Sequence, residues 1–350
     1  MQRLLGGVDM KLIQLFKTLC FVGLIVSGTF NQSFAEETSG KIKGGVEHSM
    51  PSWFKDSFLD IQADIEEAEK ANKHVMLFFH LNNCPYCEKM LHDNFTSGET
   101  KDYIQQHFDV IAINVKGDRE IQFSKDKSYS EKEFSKQLNI QYTPTVLFLD
   151  AKNNAVVRLN GYRSSGQFGN ILHYVNDKAY KDMNLADYLD KNSRKGNYTL
   201  KDNELFKKIT DLSTVKTPLA IIFEDSNCEE CEHLHSKLLI RDDVKAELKP
   251  FTIVRLDANS TESITAPNGD KTTPKDLAKS LNMLYRPGIV LFDEGKEVTR
   301  LDGMLFSFHF KELFRYVGGG YYKKYSTYNE YLAERQAELL KQGTDIHIVD

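Results

Sequence analysis

The sequence contains two Cys-x-x-Cys pairs, and the landmarks that follow each pair recur in the same order. The matched positions are Cys84 and Cys228, Pro144 and Pro287, and Gly161 and Gly303. Their offsets are 144, 143 and 142 residues, which indicates a repeated domain rather than the short unit of a solenoid. With 350 residues, the chain is long enough for two domains that each bury a core.

Each copy shows the same succession of secondary-structure patterns. In the first, "HVMLFFHL" from His74 is nearly all apolar, as in a strand buried on both faces, and the cysteine pair after it is expected to open a helix. Before it, Phe58, Ile61, Ile65 and Ala68 recur at helical spacing and predict one apolar helix face. The second copy has matching stretches, such as "PLAIIFED" and "PGIVLFDEG". The order of elements predicts an α/β fold in which each domain has a central mixed sheet flanked by helices.

The amino-acid composition and net charge argue against a nucleic acid partner. A hydrophobic content of 41% and a charged content of 27% are typical of a globular protein. The formal net charge is −5 and lysine and arginine do not cluster, so we expect no nucleic acid partner, neither DNA nor RNA.

The N-terminal segment, residues 1–35, has the pattern of a signal peptide. From Met10 onwards, two lysines precede an apolar run over 18–30, and Ser33-Phe34-Ala35 offers small residues for cleavage. The run is short for a membrane span, which takes about 20 apolar residues. We therefore expect export with cleavage after Ala35, and an uncleaved membrane anchor remains the alternative.

The remaining chain divides into four parts. We predict a first domain over 52–189, a polar linker over 190–199, a second domain over 200–342 and a tail over 343–350. The cysteines of the two domains all lie in the two pairs. A disulfide within a Cys-x-x-Cys pair closes a loop too small to link distant segments. This favours a redox role for the pairs over a structural one.

A Cys-x-x-Cys at a strand-to-helix turn, followed by X-Pro before a strand and by Gly after the next, resembles the thioredoxin superfamily. Both copies match, so the resemblance runs from Ser52 to Tyr331. More narrowly, "PSWFKDSFLDIQADIEEAEKANKHVMLFFHLNNCPYCEKM" and "KGDREI" resemble periplasmic thioredoxin-like proteins of the sulfur-oxidation type. The resemblance implies two tandem thioredoxin-fold domains and a periplasmic location.

The resemblance also implies a role for each matching residue. Cys84 would be the exposed nucleophile, and Cys87, one helical turn further on, the buried thiol that resolves the mixed disulfide. Pro144 would follow a cis peptide bond, with Thr143 offering its backbone to an extended substrate segment. The substrate-binding residues implied in this way are Pro85, Tyr86, Thr143, Pro144, Gly161, Arg286, Pro287 and Gly303.

The second pair, Cys228 and Cys231, is surrounded by opposing charges. Glu229 and Glu230 disfavour a thiolate at Cys228, whereas Arg286 is expected to face the pair and to bind a glutamate or the thiolate. Our hypothesis is a slower, more reducing centre than the first.

Two other interpretations of the second pair stay open, an inert disulfide and a metal site. Cys228, Cys231 and His235 share one helical stripe, and His233 and Glu224 are near enough in sequence to complete a set of ligands. We predict no bound metal and no cofactor apart from the redox-active disulfides.

Thioredoxins carry a buried acid six residues before the first cysteine, and this chain has Phe78 and Ile222 there. Two residues further along the strand, on the same face, lie His80 and Glu224. We hypothesise that they are substitute proton carriers. The alternative is that both lie at strand ends and face the solvent.

These observations predict an exported protein-disulfide oxidoreductase that acts on protein thiols and disulfides through Cys84 and Cys87. A reductase, recharged by a membrane-bound electron donor, is favoured over an oxidase. The non-enzymatic alternative is a chaperone or adaptor that holds extended segments in the thioredoxin groove.

Overall fold

The computed structural model describes residues 39–124, 127–192, 196–228 and 230–350. The expected signal peptide, residues 1–35, lies outside the described residues, as do Glu229 and residues 193–195 of the expected linker. Within the described ranges, no helix has the length and apolar character that crossing a membrane requires.

The first domain is a four-stranded sheet with helices on both faces. The described elements up to its end are β1 (Ile42–Lys43), α1 (Ile61–Lys70), β2 (His74–His80), α2 (Pro85–Leu91), α3 (Gly98–His107), β3 (Phe108–Asn114), β4 (Glu120–Ser124), β5 (Lys127–Ser130), α4 (Glu131–Gln137), β6 (Thr145–Leu149), β7 (Ala155–Asn160), α5 (Ser165–Asn176) and α6 (Leu185–Asn192). A π-helical turn, His92–Thr96, follows α2.

The sheet of the first domain has the order β3-β2-β6-β7 and is mixed, as the sequence predicts. Strands β2 and β3 run parallel, whereas β2 pairs with β6, and β6 with β7, in antiparallel fashion. Successive residues of β2 enter different cores, because strand side chains alternate between faces. Phe78 packs in the cluster that contains Phe168 of α5, and Phe79 in the cluster that contains Phe134 of α4.

One expected member of the first helix is misplaced. Helix α1 begins at Ile61 because the Asp60 side chain accepts the Ala63 N–H and caps the helix. Ile61 and Ile65 are buried, but Phe58 precedes the cap and is fully exposed. The prediction that Phe58 belongs to the apolar face of this helix is therefore wrong.

The second domain repeats this architecture. Its elements are β8 (Leu219–Glu224), α7 (Cys231–His233), α8 (Asp242–Leu248), β9 (Thr252–Asp257), β10 (Ile264–Thr265), β11 (Lys271–Thr272), α9 (Pro274–Ser280), β12 (Gly288–Asp293), β13 (Lys296–Leu301), α10 (Ser307–Gly318), α11 (Tyr328–Lys341) and β14 (Ile346–His347). The sheet order β13-β12-β8-β9 matches that of the first domain, with β8 and β9 parallel and the other two pairs antiparallel.

The last residues of the chain pair with the first described strand. Strand β14 lies parallel to β1, with Ile346 opposite Ile42. Asp345 accepts the Lys41 N–H at 2.8 Å and forms an ion pair with Lys43. The stretch 343–350, expected from the sequence to be a tail, therefore pairs with the segment that precedes the first domain.

The two domains meet through equivalent loops. Tyr285 of the second domain lies in the core cluster of the first, and its counterpart Tyr142 hydrogen-bonds Thr299 of the second. The two repeat glycines also pack against each other, since a Cβ built on Gly161 would lie 3.6 Å from the Cα of Gly303. The interface thus forms between the same faces of the two repeats.

Candidate active site

The first cysteine pair lies at the start of α2, as the sequence predicts. Cys84 is the N-cap, its Sγ accepts the Cys87 N–H at 3.1 Å, and the two cysteines form a disulfide. Pro85 occupies the first helical position, where its fixed φ suits the helix and its missing N–H costs nothing. A sulfur at this position, once reduced, is stabilised as a thiolate by the free N–H groups of the helix.

The cis-proline loop completes this centre. The Thr143–Pro144 peptide bond is cis, which confirms the implied geometry. The Thr143 Oγ1 lies 3.5 Å from the Cys84 Sγ, and the Pro144 carbonyl accepts the Gly161 N–H at 2.8 Å. Cysteine pair, proline and glycine are therefore gathered at one place from three separate parts of the sequence.

Cys84 is less accessible than the resemblance implies. Its exposed fraction is 6%, and Cys87 is completely buried, so the expectation of an exposed Cys84 is wrong. The reason lies in the tertiary structure, because Tyr285 and Met304 of the second domain belong to the same buried cluster as this pair.

Tyr86, between the two cysteines, is held by the second domain. Its hydroxyl accepts the Phe306 N–H and lies 3.0 Å from the His309 Nδ1, while its ring stacks on Phe306 with centroids 4.9 Å apart. Burial raises the pKa of Tyr86 and lowers that of His309 to about 4. The phenol and the imidazole are thus both neutral near pH 7, as a buried pair without a counter-charge requires.

The second pair has a different local structure. Cys228 and Cys231 form a disulfide and are almost completely buried, with exposed fractions of 3% and 0%. Helix α7 begins only at Cys231, after Glu230, so Cys228 does not cap it and the expectation that this pair opens a helix is wrong for its first cysteine. The second copy lacks a proline at the position of Pro85, which starts the helix in the first copy.

Arg286 is paired with Asp225, whereas a glutamate or the thiolate is the partner expected from the sequence. Its Nε donates to the Asp225 Oδ2 at 2.8 Å, and its Nη1 donates to the carbonyl groups of Met283 and Tyr285. The Asp225 carbonyl in turn accepts the Cys228 N–H at 3.2 Å. The Arg286–Pro287 bond is cis, as in the first domain. The guanidinium is thereby tied to the loop that carries Cys228.

Both hypothesised proton carriers are buried, so the alternative of solvent-facing strand ends is wrong. Glu224 has no exposed surface, and it receives hydrogen bonds from the His235 Nε2 at 2.7 Å and the Tyr198 hydroxyl at 3.4 Å. His80 is 9% exposed and its ring packs against Phe78.

The residues named for the metal alternative of the second pair have other partners in the described structure. Its sulfurs are joined to each other, and His235 is paired with Glu224. In the described ranges, no group of three or more histidine, cysteine or acidic side chains is arranged to hold a metal ion.

His80 leads to a prediction on the pH dependence of stability. Burial, followed by the nearby His48, lowers its pKa to about 4, so between about pH 4 and its unfolded pKa of about 6.5 the unfolded chain binds more protons. Stability that is present above pH 6.5 is therefore lost as the pH falls through this window. Between pH 7 and 4 the wild type should lose up to about 3 kcal/mol more than His80→Phe, measured by urea unfolding.

His92 provides a control in which the pKa shift, and so the pH dependence of stability, has the opposite sign. Its pKa is raised by the hydrogen bond with Asp93, so it contributes stability below its unfolded pKa that is lost as the pH rises. His92→Ala should therefore lose stability on the acid side only. Parallel pH profiles for the wild type and His80→Phe would contradict the prediction for His80.

Several residues of the site carry no clear sequence signal. Phe306 and His309 lie far in sequence from both Cys-x-x-Cys pairs, and Asp225, three residues before Cys228, belongs to no motif. Tyr142 and Tyr285 do carry one, because both stand two residues before the repeated proline and match at the same offset.

Fold and site together define a protein of the thiol–disulfide redox class with two domains, each carrying a bonded Cys-x-x-Cys pair beside a cis-proline. The family model of the thioredoxin-like domain matches residues 61–176 and 205–318. These matches cover more than half of the chain, which therefore belongs to the thioredoxin-like domain family.

Solved structures show further similarity over single domains. A thioredoxin-fold protein from Helicobacter pylori is 29% identical over 34% of this chain and 79% of its own, with a TM-score of 0.31. A thioredoxin from Thermus thermophilus is 24% identical over 33% of this chain and 83% of its own, with a TM-score of 0.27. The C-terminal domain of DsbD from Neisseria meningitidis is 17% identical over 37% and 98%, with a TM-score of 0.25. No curated protein matches the sequence.

Proposed function

We propose that the protein is an exported thiol:disulfide oxidoreductase that exchanges electrons with disulfides of protein partners through Cys84 and Cys87. The observation that carries the proposal is the position of the Cys84 sulfur, at the N-cap of α2 and against the cis-proline loop, with Cys87 buried one turn behind it. This arrangement favours a reactive first thiolate and a protected second thiol.

The proposed reaction begins from the dithiol form. The Cys84 thiolate attacks one sulfur of a partner disulfide, forms a mixed disulfide and releases the other partner sulfur as a thiolate. The Cys87 thiol then loses its proton and attacks Cys84. The partner leaves as a dithiol, and its two electrons have come from the pair, which ends as the disulfide seen here.

A dithiol donor must then return two electrons to the pair, and we expect this donor to be membrane-bound. The reductase direction is proposed over the oxidase direction, and the location is proposed to be the periplasm. Cys228 and Cys231 are proposed as an auxiliary redox centre, with Arg286 and Asp225 fixing the loop that carries them.

The test is to trap partners on Cys87→Ser. Without the resolving thiol, the mixed disulfide on Cys84 should persist and accumulate as covalent adducts that dithiothreitol releases, visible on non-reducing gels of cells expressing the variant. Cys84→Ser/Cys87→Ser is the matched control and should give none. Absence of adducts from Cys87→Ser, together with an inert wild type, would favour the chaperone or adaptor function instead.

A further inference from the structure

A segment of the second domain lies across the active site of the first. We call Gly303–Phe306 the covering segment. Its first residue lies against Gly161, where a Cβ on Gly303 would come within 3.2 Å of the Asn160 carbonyl. Met304 is buried in the cluster that contains Cys84 and Tyr86. The segment thus extends over the first domain from Gly161 to the Cys-x-x-Cys motif.

The contacts at the end of the covering segment are those of a bound peptide. The Phe306 N–H donates to the Tyr86 hydroxyl at 3.0 Å, and the Phe306 ring stacks on the Tyr86 ring at 4.9 Å. One main-chain hydrogen bond and one aromatic stack fix the backbone and a side chain together. The residues used on the first domain, Tyr86 and Gly161, are those expected to bind substrate.

The covering segment is held from behind by groups outside the first domain. Asp350 accepts the Ser307 N–H at 2.9 Å, so it ties the residue after the segment to the end of the described chain. The Leu305 carbonyl lies 3.4 Å from the His233 Nε2. Among the described residues, the contacts between the segment and the first domain are a hydrogen bond, an aromatic stack and apolar packing, and a partner can replace each of them with a contact of the same kind.

We propose that the groove at Cys84 is a docking surface for extended apolar segments that carry an aromatic side chain, and that the covering segment is its resident occupant, displaced when a partner binds. The proposal rests on the proposed function, whose partner class it specifies. Cys84, with 6% of its surface exposed, reacts in the displaced state, and a partner supplies its own contacts to Tyr86 in place of those of Phe306.

The chemistry of the groove sets the partner class. The Tyr86 ring offers an aromatic face, its hydroxyl accepts a main-chain N–H, and the pocket filled by Met304 is apolar. A segment with charged side chains at these positions would bury them without partners, at a large cost. Disulfides flanked by aromatic and apolar residues should therefore be reduced in preference to those flanked by charges.

The first test is the accessibility of Cys84 in Phe306→Ala. In the reduced full-length protein, the rate of iodoacetamide alkylation at Cys84, followed by mass spectrometry, should rise about threefold to tenfold, because the lost aromatic stack favours the open state. Tyr325→Ala is the control, since its ring contacts Tyr331 within the second domain, and it should leave the rate unchanged. Asp350→Ala should raise the rate in the same direction.

The second test uses two synthetic peptide disulfides of equal length. One carries Phe and Met beside the cystine, and the other carries Glu and Lys. The wild type should reduce the apolar peptide with a kcat/KM about tenfold higher, whereas Phe306→Ala should accelerate reduction of both.

The outcomes separate the proposals. If the alkylation rate is unchanged in both Phe306→Ala and Asp350→Ala, and circular dichroism shows that both variants are folded, the proposal that the covering segment shields Cys84 is wrong. Equal kcat/KM for the two peptides overturns the partner class. A wild type that reduces neither peptide nor insulin overturns the proposed function itself, while the alkylation comparison still decides whether Cys84 is covered.

Discussion

Replacing Cys84 by Ser should lower the rate of insulin-disulfide reduction by at least about a thousandfold, because a hydroxyl at this position cannot form the mixed disulfide. The side chains are nearly isosteric, so the cap on α2 and the fold should persist, as Ser is itself a favoured N-cap residue. The rate is measured as insulin precipitation with dithiothreitol as the electron source, and folding is checked by thermal unfolding.

Cys228→Ser is the matched control for this prediction. It removes the corresponding sulfur from the second domain. Unlike Cys84, Cys228 is not the N-cap of a helix. If the second pair is auxiliary, this variant should retain the rate within about tenfold. Full activity of Cys84→Ser, or an equal loss in Cys228→Ser, would contradict the assignment of the first pair as the principal centre.

Replacing Arg163 by Ala should lower the free energy of unfolding by about 3 kcal/mol, since it removes a buried guanidinium that pairs with the partly exposed Asp302 carboxylate and donates to main-chain carbonyl groups. Arg163 is 3% exposed in its side chain, donates to the Asp302 Oδ2 at 3.3 Å, and its guanidinium lies 4.9 Å from the centre of the Tyr285 ring. Its Nη1 also donates to the Asn160 and Tyr162 carbonyl groups, so its loss affects both sides of the domain interface.

The loss should depend on pH in a defined direction. Burial raises the pKa of Asp302 and Arg163 opposes that rise, so removing the guanidinium raises the pKa further. Without the guanidinium, the carboxylate keeps the hydrogen bond from the Tyr285 N–H but is costly above its pKa, and it becomes neutral below it. The destabilisation in Arg163→Ala, measured by urea unfolding, should thus shrink as the pH falls through the pKa of Asp302.

Arg241→Ala is the control for the ion pair. The Arg241–Asp243 pair is exposed, with 42% and 40% of the two side chains accessible, so its loss should cost less than about 1 kcal/mol. The double variant Arg163→Met with Asp302→Leu should lose less stability than the sum of its single changes. Additive losses would show that the pair is not coupled across the interface.

Much of the fold follows from patterns that are local in sequence. The strand before Cys84 is recognisable because a strand buried on both faces is apolar throughout. The strands after Pro144 are recognisable because apolar residues alternate along them. The resemblance to the thioredoxin superfamily implies the cis bond before Pro144, and the structure has a cis bond before Pro287 as well. The prediction for Phe58 is wrong because the helical spacing of apolar residues continues past the N-cap, and the Asp60 cap alone marks where the helix begins.

The surroundings of the cysteines were harder to predict. The burial of Cys84 depends on Met304 and Tyr285, which lie some two hundred residues away, and the repeated position of Tyr285 before Pro287 does not show which domain it packs against. The sequence predicts Arg286 near the second pair, but its ion pair with Asp225 depends on how the loop after β8 folds against the cis-proline loop. Single-sequence patterns carry no information on such long-range pairings.

The sequence alone determines the repeated α/β domain and the two cysteine pairs, since each depends on residue type and spacing within one domain, and its resemblance to the thioredoxin superfamily implies the cis-proline loop. The tertiary structure alone decided that the domains face each other, that Phe306 covers Tyr86 and that Glu224 is paired with His235. The physical reason is that packing between surfaces far apart in the sequence depends on their shape and on desolvation, and neither produces a periodic pattern of residues.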